Sequence, residues 1–353
     1  MVAIPAFHRD FSPAFIIKLT KLENVSIVLE KDYGTDLNYL TKNYIRKNVS
    51  FLSREKLLKS ADMIVVLTAP NLEDIKLMKR GSILVSMLHV ETHPGRNALM
   101  KKLGIKPISL DGLQDTEGRR IIQDLKNTAW QGVTQAYKQL YKKMGQKWWF
   151  SPTREPISIM VLGFGEVGKY ATEAAIKMGR TKLLRQLIQR KSNSTVNIYP
   201  FVSSHAADLK IYSKAIISKS LFDGGKPHIV IDATKRADYS KHILSEDIIT
   251  KLPKECVILD LSADKYEDNK TLKGIQGIPT GSEKKQVFMP QDSAWEDEKQ
   301  VPKKYQLPIE SRRTVISHYA WPSCGTVADR RRSMEKYGTQ IYPVIISLWP
   351  FTK

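Results

Sequence analysis

Cysteine is scarce in this chain, because its 353 residues include only Cys256 and Cys324. Two cysteines so far apart provide neither a disulfide framework nor a zinc cage. Long apolar runs are also missing, since no stretch approaches the roughly 20 residues of a membrane-spanning helix. The opening MVAIPAFHRDFSPAF lacks the charged start and apolar run of a signal peptide. We therefore expect a cytoplasmic protein with neither a metal site nor a membrane partner.

Positive charge is abundant: 56 Lys and Arg against 36 Asp and Glu give a net charge of +20. Such a surface attracts polyanions. The basic residues are spread along the whole chain, and no helix-turn-helix, zinc or RNA-recognition signature accompanies them. This distribution favours a solvated lysine-rich surface that helps to collect an anionic cofactor and a carboxylate substrate, rather than a nucleic-acid interface.

The first part of the chain alternates apolar runs with a helical pattern. Val25–Leu29, Met63–Leu67 and Ser82–Met87 are predicted strands, and Asn71–Arg80 fits a short helix between the last two. A βαβ order of this kind calls for a parallel sheet. At this length we expect two domains, with a substrate domain over residues 1–150.

A long amphipathic helix is predicted over residues 118–144, ending near Gly145 and followed by a proline-containing linker. A second α/β unit begins at Ile157–Leu162 and continues through VNIYPFV, HIVIDAT and CVILDLSAD to about residue 315. Residues 316–353 offer a closing helix, interrupted at Pro343, that returns to the first domain. The expected fold is therefore α/β, with two Rossmann-like domains that have parallel sheets, joined by a long helix with a cleft between them.

The motif VLGFGEVG places Gly163, Gly165 and Gly168 between an apolar strand and a helix. In a dinucleotide-binding turn the first glycine permits the tight turn, the second lets the backbone approach the pyrophosphate, and the third brings helix and strand together. The helix start, with Glu166 and Val167, then presents backbone N–H groups to the phosphates. The alternative is a glycine turn with a purely steric role.

The choice between NAD and NADP stays open. NAD binding calls for an acidic residue about 20 residues beyond the turn, and none occurs there. If VNIYPFV is the second strand, its end carries Ser203 and His205, which would tolerate a 2′-phosphate.

Residues 60–265 resemble the alanine dehydrogenase and NAD(P) transhydrogenase superfamily, including saccharopine dehydrogenase-like and carboxyethylornithine synthase-like enzymes. The resemblance lies in the order of the segments: ADMIVVLTAP, MKRGSILVSMLHVE, the long helix, the glycine turn, HIVIDAT and VILDLSAD. The resemblance implies an NAD(P)-dependent oxidoreductase acting on the CH–NH group of a small amino acid or on its 2-oxo acid. It also implies a homo-oligomer, with Ala233 and Leu261 beside the cofactor.

By the same resemblance, His89 is the catalytic acid and base, a role that suits an imidazole. Asp264, in DLSAD, would hold the substrate amine. The alternatives are a histidine that caps a strand end and an aspartate that caps a helix.

The guanidinium group of arginine can bind a carboxylate through two hydrogen bonds. The resemblance makes Arg9, Arg119 and Arg120 candidate ligands for the substrate carboxylate. The alternative is that these arginines are solvated. At Thr68 the superfamily typically carries a lysine that binds substrate, and this chain does not. The change puts ordinary alanine dehydrogenase activity in doubt. An opine-type enzyme joining an amino acid to a 2-oxo acid, and a dinucleotide-binding module without catalysis, are therefore kept as alternatives.

Overall fold

The computed structural model describes residues 1–6, 10–151, 153, 155–163, 165–178, 196–201, 226–234, 244–265, 271–272, 275, 277–281, 284–317 and 325–349, with the backbone alone for 196–201, 264–265 and 271–272. The chain divides into two compact units, Met1–Asp124 with Ser323–Lys353, and Leu125–Pro322. The first unit therefore ends before the long helix, whereas the sequence pattern predicted a boundary near residue 150.

The first unit contains a six-stranded sheet in which every strand pair is parallel. Its strands are β1 Val2–Ile4, β2 Ile27–Glu30, β3 Val49–Leu52, β4 Met63–Thr68, β5 Ile83–Met87 and β6 Lys106–Ser109. The strand order is β3-β2-β1-β4-β5-β6, so the winding direction reverses between β1 and β4. In open α/β sheets, ligands bind outside the carboxyl ends of the strands at this kind of switch point.

Helices cover both faces of this sheet, which explains why its strands are apolar on both sides. The helices are α1 Pro13–Leu19, α2 Arg54–Ser60, α3 Leu72–Leu77, α4 Pro94–Leu103 and the C-terminal helix Val327–Leu348. Met63 and Val65 pack with α1 and the C-terminal helix, whereas Ile64 packs with α2 to α4. The C-terminal helix continues through Pro343, so the predicted interruption there was wrong.

The second unit contains another six-stranded sheet, parallel except for one edge strand. Its strands are β7 Ile157–Leu162, β8 Val196–Phe201, β9 Ile229–Asp232, β10 Val257–Asp260, β13 Val287–Phe288 and β14 Thr314–Ser317, in the order β13-β14-β10-β9-β7-β8. The short antiparallel pair β11 Asp264–Lys265 and β12 Thr271–Leu272 follows β10. The prediction of two α/β units with parallel sheets is confirmed.

Two layers flank this second sheet. Helices α5 Leu125–Trp149 and α6 Glu166–Met178 pack on one face, and Glu246–Lys251 packs on the other with the buried Trp295.

The bounds of α5 differ from the predicted 118–144. Gly118 has φ 74° and lies in a turn closed by a bridge between Gln114 and Arg120, so the helix begins only at Leu125. At the other end, Gly145 breaks the helical geometry with φ 75° and ψ 167°. The helix resumes to a buried Trp149, so the segment predicted as a linker begins inside the helix.

Among the described residues, no helix has both the length and the apolar character needed to cross a membrane.

Candidate active site

The glycine turn lies at the switch point of the second sheet, where β7 is flanked by β8 and β9. Gly163 has φ 84°, and a Cβ atom there would lie 2.8 Å from the Ala233 carbonyl oxygen and 2.9 Å from Thr234 Cα. A Cβ atom on Gly168 would overlap the Gly163 carbonyl oxygen. These two glycines therefore allow the turn to form and bring α6 close to the end of β7.

Gly165 differs from both, because a Cβ atom there would meet nothing within 4 Å. No packing constraint in the described structure demands glycine at this position. An open approach to the backbone is what a pyrophosphate needs. The 13-residue α6 begins immediately afterwards, at Glu166 and Val167, and the first-turn amides of a helix lack intrahelical acceptors. The turn thus has the shape and polarity to hold a nicotinamide dinucleotide by its phosphates.

Two other predicted cofactor residues have packing contacts of their own. Ala233 Cβ lies beside Gly168, and its N–H donates to the Leu162 carbonyl oxygen at 2.9 Å. Leu261 packs its side chain against Gly132 of α5. Both residues flank the carboxyl edge of the sheet, but the Leu261 side chain is engaged with the core. The predicted cofactor residue Ser203 lies outside the described residues.

Asp264 begins β11, four residues after the end of β10. Its backbone is thus placed near the carboxyl edge of the second sheet, and no described helix begins there. Its predicted contact with the substrate amine stays a prediction.

In the first unit, three polar residues follow the carboxyl ends of adjacent strands. Thr68 ends β4 and is exposed, His89 follows β5 by two residues, and Asp111 lies in a 3-10 turn just after β6. Because parallel strands end at the same edge of a sheet, the fold gathers these residues on one side.

His89 and Asp111 interact directly. The His89 N–H donates to Asp111 Oδ1 at 3.2 Å, and His89 Nδ1 lies 3.8 Å from Asp111 Oδ2. Ser109 Oγ also donates to Asp111 Oδ1, at 2.8 Å. Burial alone would raise the pKa of Asp111, but the charge of His89 and the Ser109 hydroxyl bond hold that pKa below its usual value. Asp111 is therefore poised as an anion beside the ring.

The backbone of His89 is unusual, because φ is 48°, in the left-handed region. Its carbonyl oxygen accepts bonds from the N–H groups of Thr92 at 3.0 Å and His93 at 2.9 Å. The side chain keeps 43% of its surface exposed. The turn therefore presents an accessible imidazole on a fixed backbone, and the acid–base role of His89 stays a prediction.

The predicted arginines are less clearly placed for a substrate. Arg119 is 60% exposed, with Nε 2.8 Å from Asp115 and Nη1 2.9 Å from Glu117. Arg120 is exposed in the same turn, and Arg9 lies outside the described residues. Carboxylate binding by these three residues stays a prediction.

Asp111 was not singled out from the sequence. The available signal was an acidic residue in ISLDG, just after the short segment KPIS that forms β6.

Comparison with known proteins agrees with this architecture. Residues 11–129 match the family described as alanine dehydrogenase/PNT, N-terminal domain. An N(5)-(carboxyethyl)ornithine synthase of Clostridium botulinum is 22% identical over 265 residues, covering 74% of this chain and 76% of that protein. An L-alanine dehydrogenase structure matches with TM-score 0.66 and 14% identity, covering 99% and 90% of the two chains. A transhydrogenase from Sinorhizobium meliloti matches with TM-score 0.65 and 14% identity, covering 99% and 95%.

These matches confirm the resemblance to the alanine dehydrogenase and NAD(P) transhydrogenase superfamily. The two structures show a common fold, and the family and the synthase relative point to an oxidoreductase of the dehydrogenase type.

Proposed function

We propose that this protein is an NAD(P)-dependent oxidoreductase acting on the CH–NH group of an amino acid, in the direction of oxidative deamination or of reductive amination of a 2-oxo acid. The observation that carries the proposal is the Gly163 to Gly168 turn, in which two glycines are required by packing and the middle one faces open space. A nicotinamide dinucleotide bound there would supply or accept the hydride.

The residues of the chain would handle binding and protons. His89, accessible and held beside the Asp111 carboxylate, exchanges the proton of the substrate amine. A carboxylate near Nδ1 favours the tautomer with its proton on Nδ1, which leaves Nε2 able to accept a proton. Asp264 holds the ammonium group, and Arg9, Arg119 or Arg120 binds the carboxylate.

An opine-type reaction, in which an amino acid replaces ammonia as the amine, is the second candidate. Two observations favour it: the lysine of the superfamily is replaced by Thr68, and the synthase relative aligns over most of the chain. In this reaction the amine of one amino acid condenses with the carbonyl of a 2-oxo acid, water leaves, and hydride reduces the new C=N bond.

Two measurements test the proposal. Calorimetric titration with NAD⁺, NADH, NADP⁺ and NADPH is expected to show binding of at least one pair. Oxidation of NADH or NADPH is then followed by the decrease in its absorbance. The 2-oxo acid is pyruvate or 2-oxoglutarate, and the amine is first ammonia and then lysine or ornithine. Turnover with ammonia supports the dehydrogenase, and turnover only with an amino acid supports the opine-type enzyme.

The His89→Ala variant is the matched control, since it should bind dinucleotide and lose turnover. Binding without turnover on any amine and 2-oxo acid would instead identify a binding module that has lost its chemistry. Absence of dinucleotide binding would overturn the proposal.

A further inference from the structure

Two buried carboxyl groups lie side by side at the edge of the second sheet. Asp232 ends β9 and Asp260 ends β10, and they are register partners in this parallel pair. Both are 0% exposed. Within the described part of the chain neither forms an ion pair with a cation, and the titratable group facing each is the other carboxyl. Two buried anions in this arrangement would be costly.

The Ser262 hydroxyl group lies between the two carboxyl groups. Asp232 Oδ1 accepts the N–H of Thr234 at 3.0 Å and its hydroxyl at 2.7 Å. The Ser262 hydroxyl oxygen lies 3.0 Å from Asp232 Oδ2 and also 3.0 Å from Asp260 Oδ1. A serine hydroxyl has one proton and can donate it once. For both oxygen–oxygen contacts to be two-centre hydrogen bonds, a second proton is needed, and one of the two carboxyl groups can supply it.

The remaining contacts of Asp260 need no further proton. Ser262 N–H donates to Oδ1 at 2.9 Å, and the Ser317 hydroxyl donates to Oδ2 at 2.9 Å. The Thr280 hydroxyl, 3.3 Å from Ser317 Oγ, can donate to Ser317 in turn. Burial and the adjacent Asp232 carboxyl raise the pKa of Asp260, in agreement with one retained proton.

We propose that Asp232 and Asp260 share a single carboxylic proton through Ser262, and that this pair positions the two turns that form the dinucleotide edge of the sheet. The bonds of Asp232 shape the turn through Thr234, whose Cα would lie 2.9 Å from a Cβ atom on Gly163. The bonds of Asp260 shape the turn through Ser262, which leads into Asp264. The role in cofactor binding rests on the proposed function, whereas the shared proton does not.

A shared proton has a defined effect on stability. In the unfolded chain both aspartates ionise near pH 4, whereas the folded pair keeps one proton above that pH. The folded state then binds more protons than the unfolded state, so the pair's contribution to stability falls as pH rises, until the folded pair also loses its proton.

Asp232→Asn is the matched variant, because its amide N–H₂ can donate to Ser262 and its carbonyl oxygen can still accept from Thr234. Urea unfolding of both proteins is measured from pH 4 to 9. The ratio of the unfolding constants, wild type over variant, is expected to rise about tenfold per pH unit while the folded pair keeps its proton. Parallel pH dependences in the two proteins would overturn the shared proton.

Dinucleotide titration tests the positioning role. Asp232→Asn should keep wild-type affinity, whereas Asp232→Ala and Ser262→Ala should each lose about tenfold, comparable to one hydrogen bond to a charged group. Full affinity in both alanine variants, or in Ser262→Ala if Asp232→Ala does not fold, would overturn that role. A wild type that binds no dinucleotide would contradict the proposed function, while the unfolding comparison would still test the proton.

Discussion

The Asp111 carboxylate holds His89 by both its main chain and its ring. One carboxylate oxygen accepts the His89 N–H at 3.2 Å, and the other lies 3.8 Å from Nδ1. The first contact is a hydrogen bond that holds the backbone, and the second places a negative charge near the ring, beyond hydrogen-bond distance. A carboxylate with this function is a positioning residue, and it can be removed without changing the ring itself.

Asp111→Asn is expected to lower turnover by roughly tenfold or more, since oriented proton transfer contributes factors of this size or larger, and to leave dinucleotide affinity unchanged.

The pKa of Asp111 is lowered in the folded state, so its charge stabilises the fold above the ordinary carboxyl pKa, and this contribution is lost as pH falls through the lowered value. The variant should therefore be less stable at pH 7 by about 1–2 kcal/mol, with a smaller difference at pH 3. Urea unfolding at both pH values checks this, and an equal difference at each would contradict it.

The left-handed conformation of His89 allows its chemical and structural roles to be separated. Asparagine tolerates φ near 48°, whereas valine is strongly disfavoured there. His89→Asn should fold with nearly wild-type stability and lose turnover. His89→Val should in addition be destabilised by about 1–3 kcal/mol. Thermal unfolding and steady-state assays on both variants suffice, and normal turnover in His89→Asn would remove His89 from the reaction.

The fold class could be predicted from the sequence because the long central strands are continuous apolar runs. β7, for example, has the predicted bounds Ile157–Leu162. The short strands β1, β3 and β6 were missed, since three or four residues carry no period, and β6 is the polar KPIS. The closing helix was predicted, but its continuity through Pro343 was missed, because burial of Ile341 and Ile345 on either side outweighs one lost hydrogen bond.

The candidate site was only partly predictable. A glycine motif identifies its own turn, whereas partnerships between strand ends depend on strand order. Asp111 reaches His89 because β6 lies beside β5, and Asp232 meets Asp260 because β9 lies beside β10. No local pattern contains these adjacencies. The only signal for the second pair was an acidic residue closing each of the two apolar runs, IVID and VILD.

Alanine substitutions in the glycine turn should separate folding from binding. Gly165→Ala meets no atoms within 4 Å, so its melting temperature should match wild type, while dinucleotide affinity falls about tenfold, or roughly 1.4 kcal/mol. Gly163→Ala forces a Cβ against Ala233 at φ 84° and should cost about 1–3 kcal/mol of stability. Calorimetry and thermal melting on both variants provide the comparison. Unchanged affinity in Gly165→Ala would mean that the turn has a steric role only.

Thr68→Lys tests whether the missing lysine redirects the reaction. Thr68 is exposed at the carboxyl end of β4, so the longer side chain can extend into solvent and stability should change by less than about 0.5 kcal/mol. A lysine there adds a cation on the side of the sheet where His89 lies, and can bind the carboxyl or carbonyl group of a 2-oxo acid. We expect ammonia-dependent turnover with pyruvate to rise relative to turnover with lysine or ornithine. Thr68→Gln, which is similar in length but uncharged, is the control and should not show the change. If the two variants behave alike, position 68 does not determine the choice of amine, and the specificity must come from other residues.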